Sequence, residues 1–159
     1  MDTNRNYILI IIEGLSKKSR ILDDIIELNK VQRALVESEK FDMDAFDSNM
    51  NDKSDKIEEL SALDDGFTSV YDRIKKEIAE NKDMYAEEIR SMQRLISEIT
   101  DKVTNIQAEE ERIKQKAQMQ FDRLKKEAND TKRSAAIASN YYKSMTRQNT
   151  EPQFMDKKK

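Results

Sequence analysis

Along most of this chain apolar side chains return every third or fourth position with charged residues between them, the spacing of one face of an α-helix. In the first run Ile8, Ile11, Leu15, Leu22 and Ile25 keep this alternation, and Ile21, Leu28 and Leu35 widen the stripe. A stripe of that width suits a helix packed against two neighbours. The spacing predicts a helix from about Asn4 or Asn6 to about Glu39. Asn6 is a candidate cap, because its side-chain oxygen can accept a free backbone N–H of the first turn.

The pattern breaks in the segment Ser38 to Asp44, where Asp42 or Asp44 can cap the next helix. A heptad then runs through Met43, Phe46, Met50, Lys53, Ile57, Leu60, Asp64, Phe67, Tyr71, Ile74 and Ile78. Nine of these eleven positions are apolar or aromatic. Lys53 and Asp64 are its defects, read as a wet or splayed part of the seam. Gly66 either bends this helix or lets another come close. A second break is expected at Asn81 to Asp83, although no glycine or proline forces it, and a continuous second and third helix is the alternative. The third run holds Tyr85, Ile89, Met92, Ile96, Ile99, Val103, Ile106, Glu110, Ile113, Ala117, Gln120 or Phe121, Leu124 and Ala128.

The expected fold is therefore all-α: an elongated antiparallel three-helix, coiled-coil-like bundle with helices at about 4–39, 43–80 and 83–130, a very long third helix and a flexible C-terminal tail. The bundle occupies residues 1–130. Residues 131–159 form a partly disordered tail with a short amphipathic segment at about 133–146.

Composition agrees with helices that bury narrow seams. The chain has 159 residues, 36% hydrophobic and 38% charged, with two glycines and one proline. A sheet protein would need many more turn residues. The net charge is only −3, and the helical periodicity argues against general disorder. Charge is unevenly placed, however. Residues 1–130 hold 22 of the 29 basic and 30 of the 32 acidic side chains, whereas residues 131–159 hold 7 basic and 2 acidic ones. An acidic body followed by a basic tail implies two functional parts.

The missing residue types exclude most chemistry. No histidine and no cysteine are present. The commonest general base, the usual zinc, haem and iron–sulfur ligands and any disulfide framework are thereby removed. The two glycines stand apart, so no phosphate-cradling loop exists. The chain is read as a non-enzyme with no cofactor and no metal. The apolar run Tyr7 to Ile12 is too short to span a bilayer and reads as the start of a core helix, with an anchoring or partner-binding patch as the alternative. No stable membrane insertion is expected, and the cytoplasm fits the lack of cysteine.

In the tail, Ile137, Tyr141 and Met145 lie four apart and would align on a helix, with Tyr142 beside them. Lys132, Arg133, Lys143, Arg147 and the Lys157 to Lys159 run could touch nucleic acid or anionic lipid. The acidic body and the absence of a nucleic-acid fold signature favour a protein partner instead.

Several stretches resemble the FlgN-type flagellar export chaperones: Asn29 to Glu39, Phe41 to Phe46, Lys53 through Ile57 to Leu60, and Leu63 to Phe67, together with the tail segment Ser139 to Met145. The resemblance covers most of the chain, and none of its motifs is diagnostic alone. It implies a cytoplasmic chaperone for the flagellar hook–filament junction proteins. Such a protein would prevent their premature self-association and deliver them to the type III export gate, whose components would be further partners. It also implies that substrate contacts lie in the C-terminal part, here Leu124, Ala128, Ile137, Tyr141, Tyr142 and Met145. The third helix is longer than in compact members of that family, which leaves the substrate boundary unset. A structural coiled-coil adaptor or stalk element of a secretion apparatus is the competing reading. Monomer and homodimer both fit the sequence.

Overall fold

A computed structural model describes the backbone of residues 3–149 and the side chains of residues 3–145. It contains three helices, α1 Thr3–Glu37, α2 Met43–Glu80 and α3 Ala86–Asn149, and no strand among the described residues. The chain is all-α, as the periodicity predicts. It divides into two units, residues 1–116 and 117–159.

In the first unit α1 supplies the central seam. Ile8, Ile11, Leu15, Leu22 and Ile25 are all buried, and the same alternation continues through Asn29, Gln32 and Val36. Polar pairs fix the directions of the helices. Lys18 reaches Asp64 at 2.8 Å and Lys56 reaches Asp24 at 3.2 Å, so α2 runs antiparallel to α1. Arg5 pairs with Glu88 at 3.2 Å, Lys102 with Asp23 at 2.9 Å and Arg33 with Glu109 at 3.3 Å, so α3 runs parallel to α1. The apolar core gathers Ile8, Ile11, Leu15, Leu22 and Ile25 with Ile74 of α2, Tyr85 before α3, and Met92, Leu95 and Ile99 of α3.

The helix ends follow from local chemistry. α1 already includes Asn4 and Asn6, so neither is its cap. Asp42 caps α2 by accepting from the Ala45 N–H at 3.1 Å, while Asp44 lies in the first turn, where a negative charge suits the helix dipole. Phe41 and Phe46 straddle this cap with ring centroids 5.5 Å apart, a hydrophobic staple that sets the entry angle of the chain. The break near Asn81 is present. The Asn81 backbone N–H donates to the Glu77 and Ile78 carbonyls and its side chain donates to Glu77 again, which satisfies the end of α2 without a glycine. Tyr85, 1% exposed, pins the turn beneath the Arg5 guanidinium, 5.6 Å from its ring centre.

Two seam assignments change. In α2, Phe46 and Ile74 are buried as expected and Lys53 is buried where a wet or splayed seam was expected, but Met43, Met50, Ile57 and Tyr71 are 39–50% exposed. Asn49, Lys56, Leu63, Val70 and Glu77 occupy the neighbouring positions on the buried side. The row through Phe46, Lys53 and Ile74 keeps its predicted place and the other row shifts back by one position, where Asn49 and Lys56 are held by partners on α1. In α3, Leu95 is buried and Ile96 is 49% exposed.

In the second unit, α3 passes residue 131 without interruption and continues to Asn149. The segment expected to be partly disordered is therefore helical over its described length. Pro152, Phe154, Met155 and the three terminal lysines lie outside the described residues. Ala117 is buried, Leu124 is half-buried, and every position from Lys125 to Tyr142 is exposed.

Candidate functional site

The six residues expected to bind a protein substrate all lie on α3 in the second unit. Leu124 is half-buried and Ala128 exposed. Ile137, Tyr141 and Tyr142 are 62%, 66% and 75% exposed, and Met145 is 47% exposed. They do not form a single face. At 100° per residue, Ile137, Tyr141 and Met145 descend one side with Arg133 four positions above them. Leu124, Ala128 and Tyr142 share another side, about 140° from Ile137. The segment from Thr131 to Asn149 carries Lys132, Arg133, Lys143 and Arg147 and no acidic residue. Large apolar side chains in a solely basic helical stretch form a surface suited to an acidic, amphipathic partner.

A polar layer crosses the first unit where α1, α2 and α3 meet. Lys53 is 4% exposed. Its ammonium donates to Gln32 Oε1 at 2.8 Å and pairs with Glu110 at 2.5 Å. Gln32 itself donates to Met50 Sδ, and Asn49 donates to the Leu28 carbonyl at 3.1 Å. Asn29, 2% exposed, has no hydrogen-bond partner on either side-chain atom. Lys53 and Glu110, one polar residue from each of the expected apolar runs of α2 and α3, are thus partners. Among the described residues no cluster of three acidic side chains could hold a metal ion.

A third feature was not foreseen from the sequence. On the first unit a continuous groove follows the α1–α2 seam. One end, about 290 Å³, is lined by Ile10, Gly14, Leu63, Gly66, Phe67 and Val70. Its middle shares Lys17, Ala62 and Leu63 with that end and leads to Asp24 and Glu59. The far end is acidic, with Asp24, Glu27, Asp52, Asp55 and Glu59 around a single cation, Lys56. Lys56 is held protonated above its usual range, first by the hydrogen bond it donates to Asp24 and then by the Glu59 charge. The chain's two glycines both line the apolar end. An added Cβ at either would meet nothing within 4 Å, so neither is needed for close packing of α1 on α2, and α2 runs unbroken through Gly66. The signal available in the sequence was the pair itself: two glycines, each inside a helical pattern.

No described helix is long and apolar enough to cross a membrane. In comparisons with known proteins, the chain matches no family model, no curated protein and no solved structure.

Proposed function

We propose that this chain is a cytoplasmic export chaperone that binds flagellar hook–filament junction proteins and delivers them to the type III export gate. The observation that carries the reading is the exposed row Ile137, Tyr141 and Met145 on a helical stretch without acidic residues. Support also comes from the residue-level resemblance of Asn29 to Glu39, Phe41 to Phe46 and Ser139 to Met145 to FlgN-type chaperones.

A substrate with coiled-coil-forming ends exposes apolar stripes before it assembles. An amphipathic helix laid along such a stripe removes it from water and blocks premature pairing. Aromatic and thioether side chains suit the task, giving large contact area and a surface that repacks on different partners. No catalysis and no cofactor enter this mechanism.

The test is capture of purified junction proteins from the same genome by the full-length chain, beside Ile137→Glu and Tyr141→Glu. Each substitution should weaken capture by about 100-fold, the scale of a central interface anchor, with helicity unchanged. Undiminished capture by both variants would move the site off this row. No capture by any form, with the chain instead held in a stable particle, would favour the structural-adaptor reading.

A further inference from the structure

We propose that the α1–α2 groove is a docking site for the α3 segment around Arg133 to Tyr141 of a second copy of this chain. Three observations converge on that occupant. The first is the glycine pair. A glycine inside a helix is unfavourable relative to alanine, and here two of them open the same stretch of groove without bringing α1 and α2 closer. The space they leave is suited to a large side chain from outside.

The second is charge. The far end of the groove is acidic, with Asp24, Glu27, Asp52, Asp55 and Glu59 around Lys56, and the middle balances Asp24 and Glu59 against Lys17 and Arg20. The segment Thr131 to Asn149 is solely basic. The third is spacing. Arg133, Ile137 and Tyr141 lie four apart, in one row on the helix. From Arg133 to Tyr141 is about 12 Å along the axis, and from Asp24 to Gly14 on α1 is about 15 Å. A segment running antiparallel to α1 therefore sets Arg133 against Asp24 and Glu59, Ile137 over Ile21 and Leu63, and Tyr141 in the opening between Gly14 and Gly66. This contact involves no junction protein and stands whether or not the chain is a chaperone.

The absence of cysteine makes the experiment direct, because introduced thiols are unique. Two single-cysteine forms of the full chain, Ala62→Cys in the groove and Ala138→Cys within the segment beside its contact row, are mixed and treated with a short bismaleimide. The mixed cross-linked pair should exceed either self-pair at least tenfold. Sedimentation equilibrium of the unmodified chain should give a mass above one chain that falls toward the monomer as salt rises. Gly66→Leu, which fills the groove from within, should weaken self-association at least tenfold while leaving helicity intact, and Arg133→Glu should do the same from the other side. A chain monomeric at all concentrations, a mixed pair no more abundant than the self-pairs, or self-association indifferent to both substitutions would overturn the proposal.

Discussion

Ile96 and Ile99 stand three positions apart on α3 with the same side chain, and only Ile99 is buried, at 8% against 49%. A charge at Ile99 would have to be desolvated among Leu22, Ile25 and their neighbours in the core cluster. Ile99→Glu should therefore cost several kcal/mol, whereas Ile96→Glu should change stability by no more than about 0.5 kcal/mol. Thermal unfolding of the two variants side by side checks this, and equal losses would mean that α3 sits in another rotation. Glu37 supplies a second test at this scale. Its carboxylate is held below the usual carboxylate range, chiefly by the hydrogen bond from Lys116 and then by that from Arg33. A carboxylate with a depressed folded-state value contributes stability above its ordinary value of 4.5 and loses it as pH falls through the folded value. In a carbon-detected titration the Glu37 midpoint should lie below 4.5 and rise in Lys116→Ala. A wild-type midpoint at or above 4.5 would remove the pairing from solution.

Elements differ in how much polar material their seams carry. The α1 seam is apolar from Ile8 to Ile25 except at Ser19, which accepts from Lys102, and it is polar at Asn29 and Gln32, where Lys53 and Glu110 join it. Removing one partner of a buried charge costs more than replacing the whole group by apolar side chains. Glu110→Ala should lower stability by about 1–3 kcal/mol, while Gln32→Leu combined with Lys53→Met should unfold at or above the wild-type temperature. A double variant that melts below Glu110→Ala would show that the layer is a net source of stability. This layer also marks where the sequence stops being legible. The α1 seam and the break before Asp42 follow from spacing alone, whereas spacing leaves the turn at Asn81 open against a continuous second and third helix, because no glycine or proline marks it. The phase of α2 does not follow from it either, because hydrophobicity ranks Met50 and Ile57 above Asn49 and Lys56. Only the partners across the seam, Leu28 for Asn49 and Asp24 for Lys56, make the polar positions acceptable inside. The row Ile137, Tyr141 and Met145 was legible for the same reason as α1, a clean interval of four. Leu124 and Ala128 join it only through what the FlgN-type resemblance implies, and helix geometry sets them on another side. The groove is not legible in the sequence, because a cleft belongs to two helices at once and each contributes only one glycine to the pattern.

At the scale of the whole molecule, acid and base are segregated along the chain. Residues 1–130 carry a surplus of acid and residues 131–159 a surplus of base. Both proposed contacts use the basic stretch, so a bound junction protein and a second copy would compete for Tyr141, and self-association would recede as substrate accumulates. The lack of histidine leaves no unperturbed side chain to titrate between about pH 5 and 8, so competition and ionic strength, rather than protons, are the available controls. Lys53 has a consequence at this scale as well. The inward row of α2 repeats every seventh residue, through Phe46, Lys53, the half-buried Leu60 and Phe67, and Ile74, and a helix with such a row could ratchet by one repeat and still find greasy neighbours. Its single ammonium forbids the slip, since only one alignment brings it to both Gln32 and Glu110. One lysine thus works as a detent, keeping three sliding helices in a single notch.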